Sequence, residues 1–275
     1  MARSKRPRRN RESLGLAALG GVALLLLAGA AAAGFMWFYI STPAKPILAP
    51  LSGCPVAGPD GISIVLVDTS DDLPPATGRE VQSILDDLIS SLPPYHLLEI
   101  RVLDIAQNRS KALFSKCNPG DGTGMSEWTE NPRLARSRWI ESFRKPAAEA
   151  IRNSLASAKA SSSPIMAALQ DIAIDRFSSE RARGIPKKLT VISDMIEHTR
   201  DYSQYARGGD LSYSRFRQSP AYLKYRTDLH GARVTIDYVT RPSVMPDTNR
   251  HAEFWSAWVK DNGGVLDLMH RLQGT

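Results

Sequence analysis

The sequence predicts an α/β domain with a doubly wound, mostly parallel sheet and helices on both faces, preceded by an N-terminal transmembrane helix. Two observations support this prediction. Short apolar runs rich in β-branched residues alternate along the chain with longer segments of helical periodicity, which is typical of a parallel sheet. A long uncharged apolar segment precedes this alternating pattern near the N-terminus.

The N-terminal apolar segment extends from Leu14 to Ile40 without a charged residue. A helix of about 20 apolar residues crosses the hydrocarbon core of a bilayer, so we expect a membrane-spanning helix over 14–40. Trp37 and Tyr39 stand at its far end, where aromatic rings favour the membrane interface. The alternative is a signal peptide cleaved near the small residues 30–33, but the apolar segment is longer than a usual signal core.

A basic tail, residues 1–13, precedes this helix with six Lys and Arg against one Glu. The positive-inside rule predicts that the tail is cytoplasmic and that the C-terminal part is extracytoplasmic, which means periplasmic in a Gram-negative cell. The tail also accounts for five of the seven net positive charges of the chain. The remaining sequence is nearly neutral, so the high pI is weak evidence for nucleic-acid binding, and the expected export argues against nucleic acid as a partner.

Residues 41–60 contain five prolines and predict a stiff linker between the membrane helix and a domain at 61–275. The two cysteines, Cys54 and Cys117, are compatible with export. An oxidising compartment permits one disulfide between them, and two free thiols are the alternative.

The alternating pattern places each element of the domain. Apolar runs predict strands at 62–67, 96–105, 112–114, 189–192, 233–239 and 265–269. Helical periodicity predicts helices at 79–92, 132–144, 146–158, 164–177 and 252–260. In an open parallel sheet, ligands bind at the carboxyl ends of the strands, near the point where the strand order reverses.

Oxygen-bearing side chains follow two of these strands. The first strand runs into Asp68, Ser70 and Asp72, and the strand at 189–192 runs into Ser193 and Asp194. A loop of serines, 161–163, opens the helix that precedes the second of these strands. Carboxylates and hydroxyls that converge at one edge of a sheet are suitable ligands for a hard divalent cation.

This ordered set resembles the von Willebrand factor A-like family, whose metal-ion-dependent adhesion site has Asp-x-Ser-x-Ser after the first strand, a Thr that opens a later helix, and an Asp after the fourth strand. The segment 254–264 (FWSAWVKDNGG) is similar to the last helix and turn of membrane-tethered bacterial members. The resemblance covers about 61–270. It implies a site for Mg²⁺, or for Ca²⁺ or Mn²⁺, with the ligands Asp68, Ser70, Asp72, Ser163 and Asp194.

Two positions differ from the family pattern. Asp72 stands where the family has Ser, and Ser163 stands where Thr is usual. The extra negative charge of Asp72, if it points at the metal, neutralises a cation that would otherwise attract an acidic residue of a partner. The site is therefore expected to bind a cation more readily than to act as an adhesive site of the usual kind.

The function expected from these observations is a non-catalytic interaction domain that binds another envelope protein, with no small-molecule substrate. The alternatives are a structural domain with a degenerate, metal-free site, and an exported hydrolase that uses Asp68, Asp72 and Asp194 with a metal. The segment 200–226 is rich in Tyr, Lys and Arg. It is expected either to contact a partner or to pack on the domain.

Overall fold

The computed structural model describes residues 11–41, 46–70, 72–128, 130–155, 160–205, 211–240 and 247–272. The chain divides into two units, Met1–Pro46 and Ile47–Thr275. In the first unit, helix α1 spans Arg11–Ser41. Its segment Leu19–Ser41 is long and apolar enough to cross a membrane, and every side chain of that segment is exposed. The predicted N-terminal apolar helix is confirmed. The tail at 1–10 lies outside the described residues.

The second unit contains a six-stranded sheet, which confirms the predicted fold class. Its strands are β1 (Ile62–Val67), β2 (Leu97–Asp104), β3 (Arg109–Cys117), β4 (Lys187–Ser193), β5 (Arg233–Val239) and β6 (Val265–Leu272). The spatial order is β3-β2-β1-β4-β5-β6. All neighbouring strands are parallel except β2 and β3, which form an antiparallel hairpin.

Helices cover both faces of this sheet. They are α2 (Pro75–Ser91), α3 (Pro132–Trp139), α4 (Lys145–Leu155), α5 (Ile165–Ile172), α6 (Tyr213–Phe216), α7 (Pro220–Tyr225) and α8 (Thr248–Asp261). A π-helical turn, Ile140–Arg144, joins α3 directly to α4, and a second one, Ala173–Phe177, extends α5.

The helices predicted at 132–144 and 146–158 are continuous, because the π turn connects them without a break before Pro146. Proline has no N–H to donate to a carbonyl in the preceding turn. The carbonyl of Ser142 instead accepts a hydrogen bond of 3.3 Å from Lys116 Nζ on β3. A side chain from the sheet therefore replaces a backbone donor that proline removes.

Strand β1 is the centre of the core, since all six of its residues are buried. Successive side chains of a strand point to opposite faces. Ile64 and Leu66 accordingly pack in the cluster that contains α5 and α8, whereas Val65 and Val67 pack in the cluster that contains α2 and α4. Such a strand places the residue that follows it, Asp68, at the middle of the carboxyl edge.

Residues 47–60, assigned to a linker in the sequence analysis, belong to the second unit. A hairpin at 47–56 is closed by the bridge between Leu48 and Pro55. Cys54 and Cys117 form a disulfide, which resolves the pairing that the sequence leaves open. The Cys117 N–H also donates to the carbonyl of Ser52 at 2.9 Å. The covalent bond and the backbone hydrogen bonds hold this segment against the end of β3.

Candidate functional site at the carboxyl edge of the sheet

The strand order reverses between β1 and β4, because the chain moves outward in opposite directions from these two neighbours. Asp68 follows β1 and Asp194 follows β4, so the two acids stand at the same edge of the sheet. The Asp68 N–H donates to the carbonyl of Ile192 at 2.9 Å, which extends the pairing of the two strands to the start of the site. This reversal point is where open α/β sheets bind ligands.

Asp68 joins three separate segments through its buried carboxylate. Oδ1 accepts a hydrogen bond from the Ser70 N–H at 2.9 Å. Oδ2 accepts one from Ser193 Oγ at 2.6 Å and one from Ser163 Oγ at 3.3 Å. Ser163 thus lies at the site although 95 residues separate it from Asp68 along the chain. The carboxylate orients two hydroxyl groups and the turn after β1.

Asp194 is buried, and its Oδ1 accepts a hydrogen bond from the Ile196 N–H at 3.0 Å. The next residue, Met195, has a φ of +59°, in the left-handed region that costs a non-glycine residue about 1–3 kcal/mol. Two hydrogen bonds hold Met195 there. Its N–H donates to Ser193 Oγ at 2.7 Å, and its carbonyl accepts from Trp255 Nε1 at 2.8 Å. The turn that carries Asp194 is therefore strained and firmly held.

A small pocket of about 150 Å³ opens beside these residues. Its polar lining includes Ser70, Ser163 and Asp194. Asp68 lies behind this lining, and its carboxylate accepts hydrogen bonds from Ser70 and Ser163. A serine hydroxyl that donates its proton to a carboxylate keeps the lone pairs of its oxygen available to coordinate a cation. Ser163 meets this condition, so the donor set is chemically suited to a hard cation.

The structure does not bring all the predicted ligands into this pocket. Asp72 is exposed and is not among the residues that line it. Within the part of the chain that the structure describes, no group of three or more His, Cys, Asp and Glu residues is placed to hold a metal ion. The arrangement offers two carboxylates and two hydroxyls instead.

Glu197 is a residue that the sequence analysis missed. It is fully buried behind the site, where its Oε2 accepts a hydrogen bond from the Met166 N–H at the start of α5 at 2.8 Å. Its Oε1 has no hydrogen-bond partner among the described residues. Burial raises the pKa of the Glu197 carboxyl to about 8, and the nearby Asp68 carboxylate adds to the increase. An acid three residues beyond Asp194 in an otherwise apolar turn was the available signal.

A series of buried polar side chains contacts the start of the loop after β4 from inside the domain. The Glu197 N–H donates to Gln204 Oε1 at 2.8 Å, and His251 Nε2 lies 3.0 Å from the same oxygen. His251 Nδ1 lies 2.8 Å from Tyr238 Oη, and Nε2 also lies 3.0 Å from Trp255 Nε1, so both ring nitrogens have polar partners. Burial lowers the pKa of His251 to about 4, which keeps the ring neutral.

The segment 200–226 packs largely on the domain. Tyr202 and Phe216 pack against Phe254 of α8, with ring centroids 6.1 and 5.3 Å from it. Asp201 accepts hydrogen bonds from Lys224 Nζ at 2.6 Å and Tyr225 Oη at 2.9 Å. These contacts favour packing over a free partner-binding loop for the described part of the segment; residues 206–210 lie outside it.

The geometry defines a class of protein: an α/β domain with a reversed strand order and an acid-and-serine pocket at the reversal point, in a chain with a candidate membrane helix. No protein-family model matches the sequence, and no curated protein sequence is similar to it.

The solved structures that are similar to the chain include two proteins from Bacteroides. One is described as conserved hypothetical protein BatB from Bacteroides thetaiotaomicron, with 13% identity and a TM-score of 0.40. The other is described as an aerotolerance-related membrane protein from Bacteroides fragilis NCTC 9343 with multiple mutations to serines, with 12% identity and a TM-score of 0.34. Each match covers 78% of this chain and 91% of the other. Values this low identify neither a family nor a function, so the site residues carry the functional argument.

Proposed function

We propose that the chain is a membrane-anchored, non-catalytic interaction protein with a von Willebrand factor A-like domain, whose carboxyl edge contacts another envelope protein. The N-terminus is cytoplasmic in this proposal and the domain is extracytoplasmic. One observation carries the proposal. The Asp68 carboxylate gathers Ser70 and Ser163 beside Asp194 at the reversal point of the sheet. The Cys54–Cys117 disulfide supports export, because disulfides persist in oxidising compartments.

We further propose that the pocket binds Mg²⁺, with Ca²⁺ and Mn²⁺ as the other candidates. The hydroxyls of Ser70 and Ser163 and the carboxylate of Asp194 would hold the ion. Asp68 would orient the Ser163 hydroxyl and the backbone of Ser70. The bound ion would supply a positive centre that attracts an acidic group of a partner. Asp72, which is exposed, would lower the positive potential at the edge without holding the ion.

Thermal unfolding of the full chain in detergent micelles tests the metal site. A ligand that binds only the folded state at 100 times its Kd stabilises it by about 2.7 kcal/mol. We expect Mg²⁺, Ca²⁺ or Mn²⁺ to raise the Tm of the wild type and of Asp72→Asn, which alters an exposed acid. We expect no increase for Asp194→Asn. The same increase in all three proteins, or an increase in none, contradicts the proposed ligands.

A metal-free version of the same interaction domain is supported by a specific observation. Both carboxylate oxygens of Asp68 already accept hydrogen bonds from protein donors, which satisfies the acid without a cation. Photo-crosslinking from the native membrane distinguishes this version. With a photoreactive residue at Tyr205, which lines the pocket and is 44% exposed, the metal-free version predicts the same captured protein with and without a chelator. The metal-dependent version predicts that the chelator abolishes capture.

A further inference from the structure

The 47–56 hairpin exposes apolar side chains although a disulfide holds it in place. Ile47, Leu51 and Val56 are 80%, 92% and 58% exposed. No charged residue occurs from 46 to 59. Single exposed apolar residues are common on protein surfaces, but a cluster marks a contact site. Three of them within one closed, uncharged hairpin form such a cluster.

This hairpin lies at the amino edge of the sheet, opposite the candidate site. Its disulfide partner Cys117 pairs with Leu97, the first residue of β2. The loop that follows Cys117 carries Trp128, whose side chain is 97% exposed. Tryptophan at a surface of this kind is typical of residues that lie at the boundary between lipid and water. The amino edge thus exposes apolar side chains, whereas the carboxyl edge carries the candidate site.

The covalent chain identifies the occupant. Only residues 42–46 separate Ser41, the last residue of the candidate membrane helix, from Ile47. A fully extended chain over this interval reaches about 20 Å at most. If α1 spans the bilayer, Ile47, the first residue of the hairpin, therefore cannot lie farther than this from the helix end. A lipid surface is the one apolar partner that such a tether brings to the hairpin in every molecule.

We propose that the 47–56 hairpin inserts into the headgroup region of the bilayer, with Leu51 at its tip buried among the lipids. The inference rests on the proposed membrane anchorage. It assigns lipid contact to a hairpin at the amino edge of the sheet and partner contact to the carboxyl edge, which carries Asp68 and Asp194. The disulfide then has a further role, because it keeps the hairpin in one conformation at the lipid surface.

Tryptophan fluorescence of the full chain in vesicles of phosphatidylcholine and phosphatidylglycerol tests this contact. In a Trp128→Phe background, Leu51→Trp places a reporter at the hairpin tip. The matched control is Leu223→Trp on α7, where the leucine is 75% exposed and precedes Lys224, which pairs with Asp201 of the loop after β4. We expect lipids brominated near the headgroup to quench most of the added emission of L51W, with a blue shift, and to leave that of L223W unchanged.

The possible outcomes separate this inference from the anchorage on which it rests. Equal quenching at both positions, or quenching at position 223 alone, contradicts the inference. A blue shift at position 51 without quenching by brominated lipid also contradicts it, because a protein then covers the hairpin. Trp37 provides the internal reference within α1. If Trp37 is quenched and L51W is not, the anchor stands and only the lipid contact fails; if neither is quenched, the anchorage itself fails.

Discussion

The buried carboxyl of Glu197 predicts that the domain loses stability as the pH rises. The pKa of this group is 4.5 when it is exposed and about 8 in the folded protein. The folded state therefore binds more protons than the unfolded state between these values, and the free energy of unfolding falls as the pH increases. His251 has the opposite effect at lower pH. Its pKa is lowered from 6.5 to about 4, so its contribution to stability rises with pH up to about 6.5.

Above pH 6.5 the contribution of His251 to the free energy of unfolding is complete, so it no longer offsets the effect of Glu197. Each unit between the two pKa values of a group is worth about 1.4 kcal/mol. From pH 6.5 to pH 8, Glu197 should thus lower the free energy of unfolding by about 2 kcal/mol. The substitution Glu197→Gln keeps an acceptor for the Met166 N–H and removes the charge. We expect it to abolish most of this decrease and to make the protein more stable than the wild type at pH 8.

Chemical unfolding at a series of pH values, followed by circular dichroism, measures the effect. The matched control is Glu180→Gln, because Glu180 is an exposed glutamate whose side chain is 89% accessible. The control should retain the decrease of the wild type. A wild-type protein whose stability is constant or rises from pH 6.5 to pH 8 would refute the reasoning, as would a decrease that persists in Glu197→Gln.

Two further predictions concern other parts of the domain. The double substitution Cys54→Ser and Cys117→Ser removes the disulfide that closes a loop of 63 residues, and loop entropy predicts that the free energy of unfolding falls by about 4 kcal/mol. Urea unfolding under oxidising conditions measures this loss, and an unchanged midpoint contradicts the prediction. Arg101→Met removes a buried cation that pairs with the fully buried Glu99, which should cost roughly 3 kcal/mol. Arg109→Met removes an exposed cation that pairs with the partly buried Asp104, which should cost under about 1 kcal/mol. Equal losses in these two variants would contradict the role of burial.

Strand β1 was predictable because nearly all of its residues are apolar. The bounds of β1 and β5 agree with the predicted 62–67 and 233–239. Strand β1 is buried on both faces and therefore reads as an almost continuous apolar run. Strand β3 was predicted only at 112–114, yet it spans Arg109–Cys117. It is an edge strand, where polar side chains face water and break the apolar signal. Asn108, with a φ of +48°, ends the tight turn that makes this strand antiparallel to β2.

The candidate site was predictable to the extent that it depends on topology. Asp68 and Asp194 follow strands that become neighbours, and the alternating pattern was sufficient to place both acids at one edge. The roles of Glu197 and His251 depend on which polar atoms meet inside the core, and a single sequence holds no record of such contacts. The exposure of Asp72 depends on where the chain turns after β1, which residue spacing alone does not determine.

Residues 194–205, which follow β4, are held in place by the domain before any partner binds. Trp255, His251 and Gln204 hold them from within the domain, and Met195 is held in a backbone conformation that it would not adopt alone. A flexible loop loses conformational freedom when it is captured, and this loss weakens association. Here folding itself has already imposed that loss. Any partner of this edge would therefore meet an already ordered surface, and its affinity would depend on complementarity of shape and charge rather than on the ordering of residues 194–205.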